Sequence, residues 1–207
     1  MNVILYGATG KAGSRILNEL NARGHAVTAI VRDLSRLPAG VKGEQGDLSD
    51  VDKIAAVLDG ADAVVSAYGP PPDDTDQLVG VTERQIEAVK QAGNLRLIIV
   101  GGAGSLEVAP GVSLLASGHI PAPWVPIATS HERALELLQA SDIDWTYFSP
   151  AAFFEPGERT GKFRLGTTNL ISDEKGQSRI SMEDYAIALV DELEKPAHRR
   201  AQFSIGY

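Results

Sequence analysis

Apolar residues in this chain fall into two alternating rhythms from the N-terminus to about residue 150. Residues 3–6 (Val3-Ile4-Leu5-Tyr6) form a continuous apolar run ended by Gly7. Residues 11–23 then carry Ile16, Leu17 and Leu20 at helical spacing, with Gly24 as a stop. Residues 26–31 are continuous and rich in β-branched side chains, as in a strand covered on both faces. A turn-rich stretch leads to Gly46-Asp47-Leu48, after which Ser49 or Asp50 is placed to cap a helix running through Leu58. Residues 61–67 predict the next strand, and Pro70-Pro71-Pro72 breaks the chain. A helix over 76–92, a strand over 95–100, a helix over 130–140 and a strand over 144–148 follow. Strands alternating with helices at this spacing require right-handed crossovers, so the fold class is α/β with a doubly wound parallel sheet.

After Pro150 the rhythm changes. Aromatic, glycine and proline residues crowd 150–170, with short strand-like pieces at 162–165 and 178–180, a helix at 182–194 and a last strand at 202–205. The expectation is one domain spanning 1–207, with 150–207 forming a small cap over the C-terminal edge of the sheet.

Composition narrows the partners. With 43% hydrophobic and 22% charged residues the 207-residue chain has the balance of a globular protein. Its net charge of -8 and lack of a dense Lys/Arg run argue against nucleic acid and against an anionic membrane surface. Cysteine is absent, which removes disulfides, thiolate catalysis and Cys-ligated zinc. His25, His119 and His198 show no metal-ligand spacing, so no metal is expected. Neither a basic leader nor a run of about 20 apolar residues is present, so a cytoplasmic location is expected. The choice between monomer and homodimer stays open.

The first turn carries the chemistry. Gly7-Ala8-Thr9-Gly10-Lys11-Ala12-Gly13 leaves a strand and opens a helix. Gly7 permits the tight exit, Gly10 clears space for a pyrophosphate, and Gly13 lets the helix pack closely. The helix start then offers free backbone N–H groups and its positive dipole end to phosphate. This is the pattern of a nicotinamide dinucleotide site. The ribose should lie about 20 residues on, at Val31-Arg32-Asp33. An acid there suits the 2′-hydroxyl of NAD, and a cation suits the 2′-phosphate of NADP. Arg32, with Lys11 in the turn, outnumbers Asp33, so NADP(H) is expected over NAD(H). The competing assignment pairs Arg32 with Asp33 as an exposed ion pair. Asp47 is placed to accept from the adenine amino group with Leu48 against the ring, or else to cap a helix.

Taken together, Gly-x-x-Gly-x-x-Gly, Gly46-Asp47-Leu48, the run Val100-Gly101-Gly102-Ala103-Gly104-Ser105-Leu106, Ser149-Pro150 and Ile180-Ser181-Met182-Glu183-Asp184-Tyr185-Ala186 resemble the short-chain dehydrogenase/reductase superfamily in its atypical, NmrA-like branch. They are most similar to the small NADH-flavin reductases related to flavin/biliverdin reductase. The resemblance implies a Rossmann fold and NAD(P) binding over nearly the whole chain. Carbonyl-reducing members of that superfamily carry a Tyr with a Lys four residues on. Here Tyr6, Tyr68, Tyr147 and Tyr185 are followed at that spacing by Gly10, Pro72, Ala151 and Leu189, and Tyr207 ends the chain. An alkoxide leaving a ketone needs that proton donor, whereas a conjugated acceptor takes its proton from water. The expectation is therefore an NAD(P)H-dependent oxidoreductase serving a small-molecule conjugated acceptor, flavin or quinone, with flavin as substrate rather than resident group. The alternative is a non-catalytic dinucleotide-binding sensor, as some NmrA-like proteins are.

Ligands of open α/β sheets bind at the C-terminal strand ends. The candidates there are Ala67-Tyr68-Gly69, Gly102 to Ser105, and Ser149 to Phe154, including Pro150 and Phe153. Ser105 either bonds the nicotinamide amide or an acceptor carbonyl, or caps a turn. Tyr68 either stacks on the acceptor or lies in the core. Phe153 and Phe154 either wall the acceptor site or plug the core. His131 is either a proton donor or a surface or cap residue.

Overall fold

The computed structural model describes all 207 residues. Apolar runs become strands β1 (Asn2–Tyr6), β2 (Ala26–Val31), β4 (Ala63–Ser66), β5 (Arg96–Val100) and β8 (Trp145–Ser149); the polar edge strand β3 (Gly43–Gln45) arises in the turn-rich stretch after β2, and the hairpin β6 (Glu107–Ala109) and β7 (Val112–Ser113) follows β5. Amphipathic stretches become α1 (Lys11–Ala22), α2 (Val51–Ala56), α3 (Gln77–Gln91), α4 (Val125–Ala140) and α5 (Met182–Glu194). The short strands β9 (Phe153–Glu155), β10 (Arg164–Gly166) and β11 (Arg179–Ser181) and the last strand β12 (Ala201–Gly206) complete the chain. The eight-stranded sheet runs β10-β12-β8-β5-β4-β1-β2-β3. Every neighbouring pair in it is parallel except β10 with β12. The strand order reverses between β1 and β4, which opens a crevice at their C-terminal ends.

Each face of the sheet buries its own core. On one side Ile16, Leu17 and Leu20 of α1 meet Tyr185, Leu189 and Leu193 of α5 over Val3, Leu5 and Phe203. On the other, residues of α2, α3 and α4, among them Ile54, Val81, Ile86 and Leu135, cover Ile4, Val64, Leu97 and Tyr147. Phe148 stacks between Phe203 at 4.0 Å and Tyr185 at 4.2 Å, which joins β8, β12 and α5 through aromatic contact.

Residues 150–207 are not a separate cap. β12 pairs in parallel with β8 and α5 lies beside α1, so both belong to the main layers. The helix and the last strand expected within the segment read as a cap continue the alternation of the layers before it. Outside those layers, β9 pairs in parallel with β11. Helix α4 begins five residues before its expected start because Pro126 is tolerated in a first turn. No helix is long and apolar enough to cross a membrane.

Candidate functional site

The glycine turn sits at the reversal point of the sheet. Gly7 has φ +78° and lies hard against the end of β4: a Cβ there would fall 2.2 Å from the Ala67 carbonyl oxygen. A Cβ on Gly13 would fall 2.0 Å from the Gly7 carbonyl oxygen, so glycine is what lets α1 close onto the turn. Gly10 differs, since its Cβ would meet only the Gly7 oxygen at 3.2 Å and otherwise face open space. The first turn of α1 has no side-chain cap and no acidic residue. Its N–H groups and the exposed Lys11 are therefore free for an anion, with Thr9 and Ala12 half-buried alongside.

Beside the turn, Tyr6, Ile30, Arg32, Gln45, Gly46, Asp47, Lys53, Ala56 and Val57 line a depression of about 510 Å³. Arg32 is exposed and forms no ion pair within 4.0 Å. The pairing with Asp33 is not formed; Asp33 instead accepts from the backbone N–H and hydroxyl of Ser35 and caps a short turn. Asp47 accepts from Ser49 in the same way, which holds its carboxyl below the usual range. It does not cap α2; that role falls to Asp50, whose side chain accepts from the Lys53 N–H. Buried Leu48 is held through its carbonyl oxygen by the Arg84 Nε–H at 2.6 Å. The Tyr6 hydroxyl is buried with no partner. Two cations outside any ion pair and a helix start with free N–H groups fit a phosphorylated nucleotide along this path.

The residues expected at the reacting end fall into two groups. Helix α4 rests flush on the loop after β5: a Cβ on Gly102 would lie 2.9 Å from the His131 ring, and one on Gly104 3.1 Å from the Ala128 methyl. The His131 ring thus leaves no room for a side chain at 102. Burial pushes the His131 imidazole down to about 4, so it is uncharged at neutral pH and is not an imidazolium acid. Ser105 does not cap a turn. Its Oγ accepts from the Gln202 amide at 2.8 Å, the same amide also donates to buried Ser149, and no protein acceptor takes the Ser105 proton. Half-buried Tyr68 bonds Gln77 at 3.2 Å beside exposed Gly69; burial raises its phenol while Arg32 and Arg84 oppose the shift.

The aromatic pair divides. Phe154 packs on Tyr185 at 4.7 Å and belongs to the core. Phe153 is 64% exposed and lines a separate depression of about 820 Å³ with Lys162, Arg179 and Tyr207, which contains no glycine-turn residue. Alternation along β9 turns these two neighbouring side chains to opposite faces. Pro150 is buried after β8. Sequence reasoning passed over Lys53, Arg84, Gln202 and Tyr147. The first three were legible only as surface or strand-end polar residues, whereas the Gly101-Gly102 pair was a signal for large rings, since Gly101 is pressed by the Tyr147 ring.

A family model described as NAD(P)H-binding matches residues 7–196. The uncharacterized protein YwnB of Bacillus subtilis is 41% identical over 214 residues, covering 99% of this chain and 98% of that one. A solved structure from Bacteroides thetaiotaomicron, described as an epimerase, is 44% identical with TM-score 0.92, over 100% of this chain and 96% of that chain. One from Streptococcus pneumoniae, described as an NADH-flavin reductase, is 36% identical with TM-score 0.89, over 100% and 99%.

Proposed function

This chain belongs to the NAD(P)H-binding family matched over residues 7–196, and on that premise we propose that it is an NAD(P)H-dependent reductase delivering hydride to a flavin, a quinone or a similar conjugated acceptor, with NADP(H) preferred. When bound, the dinucleotide supplies the hydride; the chain supplies position. The N–H groups at the start of α1 hold the pyrophosphate. Arg32 and Lys53 face the 2′-phosphate, and Asp47 and Leu48 the adenine. Ser105, held by Gln202, keeps its proton for the carboxamide or an acceptor carbonyl.

The observation that carries the acceptor class is the missing proton donor. No tyrosine has a lysine four residues on; Tyr147, beside the loop after β5, is buried with its hydroxyl engaged by Gly102 and His131, and the Tyr68 hydroxyl is engaged by Gln77. A ketone reduced there would lack its acid, whereas an extended conjugated system spreads the incoming charge. The epimerase description of the Bacteroides neighbour is less well served by the same absence, since epimerisation through a carbonyl needs an acid and a base. The test is acceptor-dependent oxidation of NADPH and NADH with FMN, riboflavin and small quinones, against aliphatic ketones as controls. Turnover with the conjugated compounds alone is expected. Tight cofactor binding without oxidation by any of them would replace the reductase with a dinucleotide sensor.

A further inference from the structure

Tyr147 stands at the centre of three contacts. Its hydroxyl oxygen lies 3.1 Å from the Gly102 nitrogen, 3.0 Å from Nδ1 of His131 and 3.1 Å from the His131 carbonyl oxygen. A phenol brings one proton and two lone pairs to such a cluster. The Gly102 N–H donates and occupies one lone pair. The His131 carbonyl has no proton to give, so that contact is a hydrogen bond only if Tyr147 donates to it. The contact with Nδ1 then requires a proton on Nδ1, donated into the second lone pair. With the proton on Nε2 instead, the phenol would have to donate to Nδ1, and two oxygens would face each other without a proton. One pattern satisfies all three contacts.

We propose that Tyr147 fixes His131 as the Nδ1–H tautomer, and that the bare Nε2 accepts a hydrogen bond from an imide or lactam N–H of the acceptor molecule. This rests on reading the cleft as the acceptor site of a reductase. Tyr147 is a positioning residue, acting through the ring it orients. Nε2 has no protein partner and is not among the unpartnered atoms sealed from solvent. The ring lies directly over Gly102, on the loop that leaves β5 at the ligand-binding end of the sheet. It meets the Tyr147 ring nearly edge to face, at 6.4 Å and 73°, so the two cannot slide past each other without breaking the hydroxyl contacts. A lone pair in this place attracts N–H and repels a carbonyl oxygen. The site therefore favours a flavin, whose pyrimidine ring carries an imide N–H, over a quinone, which offers carbonyls alone.

The test is nitrogen-15 NMR of histidine-labelled protein at neutral pH, with the signals of His131 identified among the four histidines by their loss in His131→Gln. The wild-type chain should give a pyrrole-type Nδ1 and a pyridine-type Nε2; a protonated Nε2 overturns the proposal. Tyr147→Phe should move both signals toward tautomer-averaged values, and an unchanged pair would remove Tyr147 from the account. With NADP⁺ saturating, riboflavin should shift Nε2 and a naphthoquinone should not. An Nε2 signal unmoved by riboflavin also overturns the proposal. Failure of the reductase reading looks different: riboflavin moves Nε2, yet NADPH is never oxidised.

Discussion

Replacing Gly13 with alanine puts a methyl carbon 2.0 Å from the Gly7 carbonyl oxygen, 2.7 Å from its carbonyl carbon and 3.2 Å from the Ala8 nitrogen. All three are backbone atoms, so no side chain can swing away. Ordinary contact begins near 3.4 Å, and the helix and the turn must part by about 1.4 Å. Helix α1 is not free to retreat, because Ile16, Leu17 and Leu20 are buried against the sheet and α5. Overpacking of this kind costs about 1–3 kcal/mol, and alanine returns about 1 kcal/mol of helix propensity. The net loss of about 0–2 kcal/mol lowers Tm by at most about 8 °C for a chain of this size. Cofactor binding should suffer more. Hydrogen bonds from backbone N–H to phosphate do not survive a displacement of that size, and each is worth about 1.5–3 kcal/mol. Loss of one weakens NADPH about 10- to 150-fold. Gly10→Ala is the control for cause: its Cβ meets only the Gly7 oxygen at 3.2 Å, so Tm should hold while the methyl still occupies the phosphate space. Calorimetric titration with NADPH and thermal unfolding of both variants read the two effects separately. An affinity for NADPH unchanged in Gly13→Ala would refute the placement of the pyrophosphate on this turn.

Further outcomes follow from the same geometry. Arg32→Ala and Lys53→Ala should each weaken NADPH about tenfold or more and NADH little; equal losses for both cofactors in titration would remove the 2′-phosphate assignment. Buried Glu192 accepts from buried Arg96 and, nearer the surface, from the N–H groups of Ala197 and His198 and from the His198 ring. Glu192→Gln leaves the Arg96 charge buried without its partner and should cost about 3–5 kcal/mol in denaturant unfolding, whereas Glu192→Leu combined with Arg96→Met should recover most of it. Asp184 is fully buried. Burial opposes its ionisation, but donors from Thr160, Gly161 and Tyr207 outweigh that and hold its carboxyl below the ordinary value. A depressed folded pKa adds stability that is present above the unfolded value of about 3.9 and is lost as pH falls below it. Acid unfolding below about pH 4 should therefore be shallower in Asp184→Asn, which lacks that titration.

The parallel sheet, the glycine turn and most helix spans were legible because they depend on local pattern: apolar runs, helical spacing, and glycines at a strand end. Gly7 and Gly13 could be assigned their roles unaided, since the demands of a tight turn and a close helix are the same wherever the motif occurs. What was not legible depends on pairing across the sheet. β12 reads as an isolated short strand until it is seen beside β8, so residues 150–207 looked like a cap. Gln202 reaches Ser105 across 97 positions of sequence, and Tyr147 meets His131 because α4 folds back over β5 and β8. A glycine beside a cleft such as Gly102 fits a cofactor or a packed ring equally well from sequence, and its contact with the His131 ring shows only in the fold. Phe153 and Phe154 could not be told apart until β9 was recognised as a strand.

The most direct measurement is an anaerobic single turnover in which stoichiometric NADPH is mixed with the protein and riboflavin, and the nicotinamide and flavin absorbances are followed together. Both absorbances should fall with one shared rate, and Gly10→Ala should abolish the reaction at the same concentrations. Retention of full NADPH absorbance by a protein shown to bind the cofactor tightly would contradict the proposed reductase function.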